Sequence, residues 1–62
     1  MTVGEVLVQH KWRTADELVH MSSDDQRNAL IVDLSKHTGF SISELQSKTD
    51  GGLINISLTV PI

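Results

Sequence analysis

The chain has 62 residues and no cysteine, so it fits one small domain, residues 1–62, with neither a disulfide framework nor a thiolate metal site. At this size folding buries only about 60% of the surface of the unfolded chain, and stability is marginal without a partner. Five Lys and Arg against eight Asp and Glu give a net charge of −3, the wrong sign for an affinity based on phosphate contacts. With no signal peptide and no apolar run near the ~20 residues of a membrane span, we expect a cytoplasmic protein.

One pattern recurs along the chain: a Ser or Thr followed three residues later by Glu or Gln. In a capping box the hydroxyl accepts a hydrogen bond from the third helical N–H, and the Glu or Gln side chain accepts one from the N–H of the cap. The pattern predicts four helix starts, at Thr2, Thr14, Ser23 and Ser41. The predicted fold is therefore mainly α, a compact orthogonal cluster of four short helices around a central one.

The first two predicted helices are short. The first spans residues 3–10, because apolar residues and one His recur there at the i, i+3, i+4, i+7 spacing of a helix face. That face consists of Val3, Val6, Leu7 and His10. A strand competes with this helix, since Gly4 weakens a helix by ~1 kcal/mol. The second helix is predicted over residues 15–20, and its inward side chains are Leu18, Val19 and Met21.

The third helix is predicted over residues 24–37 and is the central one. Two Asp occupy its positive first turn, and Lys36 and His37 occupy its negative last turn. Gly39 is predicted to stop the helix in a left-handed conformation. The apolar residues Ala29, Leu30, Ile31, Val32 and Leu34 cover more than half of the circumference, so other elements must pack around this helix.

The fourth helix is predicted over residues 42–48, with Ile42 and Leu45 facing inward. Together with the third helix and the turn at Gly39, it resembles the helix-turn-helix of DNA-binding proteins. The resemblance covers residues 30–48 and implies that the second helix lies in the major groove. The residues that it places there are Ser43, Gln46 and Lys48. Few cations lie nearby and acidic residues intervene, so nucleic acid is disfavoured as a partner.

The C-terminal tail alternates apolar and polar residues, which is typical of a strand. Its apolar members are Ile54, Ile56, Leu58, Val60 and Ile62. We predict an extended tail, in the form of a β-strand that follows a turn at residues 50–52. The alternative is a short helix capped by Asp50, with Leu53, Ile54, Ser57 and Leu58 on one face. An unpaired strand edge would invite addition to another chain.

The residue types that carry chemistry form no recognisable site in this sequence. The three His, at positions 10, 20 and 37, are too far apart for a local metal motif, and Asp33 with His37 is interpreted as an exposed i, i+4 pair. The neighbouring carboxylates of Asp24 and Asp25 point in different directions, unlike a catalytic acid–base pair. We therefore predict no metal, no cofactor and no enzymatic activity.

The residues that caps, helix-end charges and turns do not account for suggest association with a protein. Trp12 lies in the one basic cluster, residues 10–13, and is an amphipathic anchor of the kind enriched at interfaces. The predicted function is a protein–protein interaction module, for docking or for self-association as a homodimer. Its predicted partner-binding residues are Trp12, Ile54, Ile56, Leu58 and Val60. The alternative is a helix-turn-helix DNA-binding domain that uses Ser43, Gln46 and Lys48.

Overall fold

A computed structural model of the protein describes residues 1–61, and this part of the chain contains five helices. They are α1 (Val3–Gln9), α2 (Ala15–Val19), α3 (Ser23–His37), α4 (Ile42–Gln46) and α5 (Asp50–Leu58). The predicted mainly α fold is confirmed, and no strand occurs between residues 1 and 61. In the same range no helix has the length and apolar character needed to span a membrane.

Each helix begins at a hydroxyl residue whose side chain accepts a backbone N–H from the helical residue three positions on. These caps are Thr2, Thr14, Ser22, Ser41 and Thr49. The predicted cap of α3, Ser23, is wrong by one residue, because Ser22 Oγ accepts from the Asp25 N–H at 3.2 Å. This register leaves the side chain of Gln26 free to bond elsewhere. A complete reciprocal capping box forms at Thr14, where Glu17 also accepts from the cap N–H.

The core lies around α3, as predicted, and α1, α4 and α5 pack against this helix. Its buried apolar side chains are Val6, Leu7, Ala29, Leu30, Ile31, Leu34, Leu45 and Leu53. Helix α2 contributes no fully buried residue. The inward orientation predicted for Val19 and Ile42 is wrong, because Val19 is 76% exposed and Ile42 is 46% exposed. Each lies on a helix of only five residues, which is too short to bury more than one side.

The end of α3 differs from the prediction. Gly39 is not left-handed, because no glycine among the described residues has a positive φ. Thr38 ends the helix in an extended conformation, and both its N–H and its hydroxyl donate to the carbonyl of Leu34, at 2.9 and 2.6 Å. A side chain therefore provides the termination for which the sequence suggested a glycine.

The predicted β-strand of the tail is wrong, and the helical alternative is confirmed as α5. Leu53, Ile56, Ser57 and Val60 have the i, i+3, i+4, i+7 spacing, so the alternating pattern also contains a helix face. Leu53 and Ser57 on this face are completely buried, and the Ser57 hydroxyl donates to the Ile54 carbonyl of its own helix at 2.6 Å. The cap is Thr49 rather than Asp50. Ile62, the last residue of the alternation, lies outside the described residues.

Arg27 of α3 connects α4 to α5. Its guanidinium donates to the carboxylate of Asp50 and to the carbonyls of Gln46 and Lys48. Gln46 ends α4, Lys48 lies in the turn after it and Asp50 lies in the first turn of α5, so one cation donates to carbonyls after α4 and also pairs with a carboxylate of α5. This fixes the turn between α4 and α5 on the surface of the central helix.

Candidate functional site

Trp12 lies in the loop after α1, between two imidazole rings. Its ring stacks on His10 with 4.5 Å between centroids and on His37 with 5.0 Å between centroids. The Trp12 and His37 planes are nearly parallel, at 3°. Both faces of the indole are therefore covered, and the half-buried Trp12 offers a partner only its edge. The prediction that Trp12 binds a partner stays a prediction, with a smaller surface than the sequence suggested.

The backbone that carries Trp12 adopts a Schellman motif. The Lys11 N–H donates to the Val8 carbonyl and the Trp12 N–H donates to the Leu7 carbonyl, both at 3.0 Å. Lys11 occupies the left-handed position of this motif, with φ of 61°, and is the one described non-glycine residue with a positive φ. A side chain at this position costs conformational energy that glycine would avoid.

A buried ion pair lies beside the Trp12 stack. The Arg13 Nε and Asp33 Oδ2 atoms are 3.6 Å apart, and neither has a hydrogen-bond partner within the described part of the protein. The interpretation of Asp33 and His37 as an exposed pair is wrong, because Asp33 is only 7% exposed and His37 stacks on Trp12. The spacing could not show that the loop after α1 would cover this face of α3.

His10 connects α1 to the end of the chain. Its Nδ1 lies 3.1 Å from the Val6 carbonyl oxygen and its Nε2 lies 3.2 Å from the Val60 carbonyl oxygen. A neutral imidazole has one N–H and can donate to one of these acceptors, whereas the doubly protonated ring donates to both. His10 is buried, so this link holds Val60 against the core.

Along α1 the surface opens into a cleft of about 700 Å³, which we call the α1–α2 cleft. It is lined by Met1, Thr2, Gly4, Glu5, Val8, Gln9, Ala15, Leu18 and Gln26. A second cavity of about 300 Å³ shares Met1, Thr2, Gly4 and Gln26 with it and reaches Asp50 and Ile54. The two cavities adjoin at these shared residues, and we refer to them together as the groove. Sequence reasoning missed this groove, since only the placement of α2 creates it.

Gln26 holds α2 in place beside this cleft. Its side-chain amide donates to the carbonyls of Leu18 and Met21, at 3.2 and 3.4 Å. Gly4 makes the arrangement fit, because a Cβ at this position would lie 2.9 Å from Gln26 Oε1 and 3.4 Å from a Leu18 methyl carbon. The close approach of α1 to α2 and α3 therefore requires a residue without a side chain at Gly4.

The predicted partner-binding residues of the tail do not form one exposed stripe. Ile54, Ile56 and Val60 are half-buried and pack against the core, whereas Leu58 is 53% exposed. Because α5 is a helix, it presents no unpaired strand edge, and the strand-pairing route to a homodimer is lost. Leu58 is the one residue of this set that keeps a large free apolar surface.

The predicted DNA-binding residues Ser43, Gln46 and Lys48 are all exposed. They belong to α4 and the turn after it, but α4 has only five residues and also exposes Glu44. The Lys48 ammonium lies 5.9 Å from the centre of the Phe40 ring. The surface that a phosphate backbone would approach therefore carries one cation, Lys48, and one acid, Glu44.

Among residues 1–61 no three His, Cys, Asp or Glu side chains are grouped so that they could hold a metal ion. Comparison with known proteins adds no relative: the chain matches no protein-family model, no curated protein and no solved structure. Its function is therefore inferred from its own residues. The candidate site that these residues build is the α1–α2 cleft with the groove that continues from it.

Proposed function

We propose that the chain is a non-enzymatic protein–protein interaction module that binds a partner in the α1–α2 cleft. The observation that carries this proposal is the cleft itself, an open cavity of about 700 Å³ with a lining of apolar and polar residues on a domain of 62 residues. Contiguous apolar surface that stays exposed on a small protein is typical of binding sites.

The walls of the cleft supply the apolar surface. Val8 of α1 is 40% exposed, and Ala15 and Leu18 face it from α2. None of these three side chains is among the fully buried residues of the core. A partner that covered them would gain hydrophobic free energy, about 25 cal/mol per Å² of apolar surface removed from water.

Helix α2 supports the proposal through the way it is attached. It has no fully buried side chain, and the amide of Gln26 is its hydrogen-bonded link to α3. Elements with few buried contacts open at low cost, and binding surfaces are commonly drawn from them. A shift of α2 therefore exposes less buried surface than a shift of any helix that contributes fully buried side chains.

The experiment is a selection of random phage-displayed peptides on the full chain, followed by tests on two matched variants. Val8→Lys places a charge inside the cleft, and Ile42→Lys places the same charge on α4 at a similarly exposed residue. We expect the selected peptides to lose binding to the first variant and keep it on the second. Selection that yields no peptide with this difference would contradict the proposal.

Removal of the tail is a poor test of the same idea. Truncation after Gly52 would delete Leu53, which is completely buried, and the Ser57 face of α5. The domain would lose part of its core, and any loss of binding would follow from unfolding. The substitution Leu58→Ser instead changes the exposed residue of the tail, and sedimentation of this variant at two concentrations tests self-association through α5.

DNA binding through Ser43, Gln46 and Lys48 is the second candidate, favoured by their exposure beside the turn between α3 and α4. It predicts binding to duplex DNA that weakens steeply as salt increases. A gel-shift titration at low salt tests it, with Lys48→Gln as the variant that removes the cation. Absence of a shift at low salt would eliminate this candidate.

A further inference from the structure

We infer that the α1–α2 cleft binds a cationic amphipathic helix of a partner protein. This inference rests on the proposed function and names the chemistry of the occupant. It is carried by three observations on the same surface: the continuity of the groove, the apolar character of its walls and the sign of the charges along it.

The groove favours a peptide segment over a small molecule. The two cavities, of about 700 and 300 Å³, share three residues at the start of α1 and Gln26 of α3, and their linings extend from Ala15 on α2 to Ile54 on α5. Small-molecule sites enclose most of their ligand, whereas an amphipathic helix lays one apolar face into an open groove. Gly4 lines both cavities, and its missing side chain lets Gln26 and Leu18 approach α1 there.

Apolar side chains occur along the whole length of the groove. Val8 and Leu18 line its wider part, Met1 lies in both parts, and Ile54 lines the narrower part. Anchors of a bound helix at i, i+3, i+4 and i+7 would follow such a row. The partner is therefore expected to present an apolar face of Leu-like side chains.

The charges along the groove are negative. Glu5 and Asp50 line it, and no Lys or Arg does. Four further acids do not line the groove but follow its lining residues Ala15 and Ser23 in the first turns of α2 and α3, namely Asp16, Glu17, Asp24 and Asp25. Arg27 offsets the charge of Asp50, but the first-turn acids of α2 and α3 form no ion pair among the described residues. A partner with Lys or Arg beside its apolar face would complement this surface.

The basic cluster at residues 10–13 does not serve as this partner surface in a second copy. Lys11 and Arg13 lie after α1, beside the Trp12 stack, and Arg13 faces the buried Asp33. They belong to a loop in a Schellman motif rather than to a helix with an apolar face. Self-association through the cleft is therefore an outcome of the test rather than the inference.

The test compares three synthetic amphipathic helices of about four turns, roughly 14 residues, that share one Leu face and carry Lys, Gln or Glu on the polar face. Each is labelled with a fluorophore and titrated by anisotropy with the wild-type chain, Val8→Lys and Ile42→Lys. We expect the Lys peptide to bind the wild type at least about tenfold more tightly than the Glu peptide, with an advantage that falls as salt rises. Val8→Lys should lower the affinity for the Lys peptide about tenfold, and Ile42→Lys should lower it by less than about twofold.

The two Lys variants separate binding in the cleft from general attraction to an acidic protein, because they change the net charge equally. Equal loss on both variants, or equal affinity for all three peptides, would overturn the inference. Cleft-dependent phage peptides without cations would leave the proposed function standing while this inference fails. A concentration-dependent mass that Val8→Lys abolishes would identify a second copy as the occupant and would also overturn it.

Discussion

The two ends of α1 pack against the rest of the domain in different ways. After its C-terminus the chain closes over α3, where Trp12 lies between His10 and His37 and Arg13 faces Asp33. At its N-terminus α1 approaches its neighbours through Gly4, and from there a cleft of about 700 Å³ runs along the helix to Gln9. Stacked rings fill the closed end, whereas a few hydrogen bonds hold the open end.

From this difference we expect the end with Trp12 to contribute stability and the end with the cleft to provide the proposed binding surface. A small domain has little core to spare, so the aromatic contacts of Trp12 add stability that the apolar cleft does not. The half-buried residues Val3 and Leu18 lie between the core and the groove, since they pack against the core and also line the cavities. Substitutions at the closed end should therefore change unfolding, and those at the open end should change the attachment of α2 or binding.

The largest expected effect is at Trp12. Trp12→Ala removes the ring between two imidazoles, and we expect it to lower the free energy of unfolding by about 2 kcal/mol, less than for a fully buried Trp. The midpoint of thermal unfolding, measured by circular dichroism, should fall by roughly 8–16 °C. His20→Ala is the control, because His20 is exposed and belongs to no stacked pair. Equal midpoints for the two variants would contradict the closed-end interpretation.

The next effect concerns the contact of Gly4 with Gln26. Gln26→Ala removes one hydrogen bond to Leu18 of α2 and one to Met21 in the turn after it, and should cost about 1–2 kcal/mol. Gly4→Ala alone should gain nothing, since the helix propensity of Ala, worth about 1 kcal/mol, is offset by its approach to Gln26 Oε1. In the Gln26→Ala background the same change should stabilise by about 1 kcal/mol. Urea unfolding of the four proteins gives this coupling energy, and simple additivity would show that the two residues do not compete for space.

The capping-box pattern correctly predicted the helices that begin with it. Thr2, Thr14 and Ser41 begin helices as expected. Helix α5 begins at Thr49 in the same way, but Gly52 stands where a capping box has Glu or Gln, so the pattern missed it and the alternation favoured a strand. The two glycines of its first turn also weaken the local preference for a helix.

The surfaces could not be predicted, because they depend on which elements become neighbours. The cleft exists where α1 and α2 meet across Gly4, and nothing in the spacing of Val8 and Leu18 indicates that they face each other. Trp12 was correctly singled out as an unusual residue, but its two stacking partners come from positions 10 and 37. One neighbours it in sequence, and the other is brought there by the fold.

The smallest expected effect tests whether the closed end is optimised for stability. Lys11→Gly relieves the left-handed conformation at φ 61° and should stabilise the domain by about 0.5–1 kcal/mol. The control Lys36→Gly makes the same change in the last turn of α3, where the backbone is helical, and should destabilise by a similar amount. Urea unfolding should therefore give opposite signs for one substitution at two exposed lysines. The same sign at both positions would mean that the Schellman turn does not set the conformation of the loop that carries Trp12.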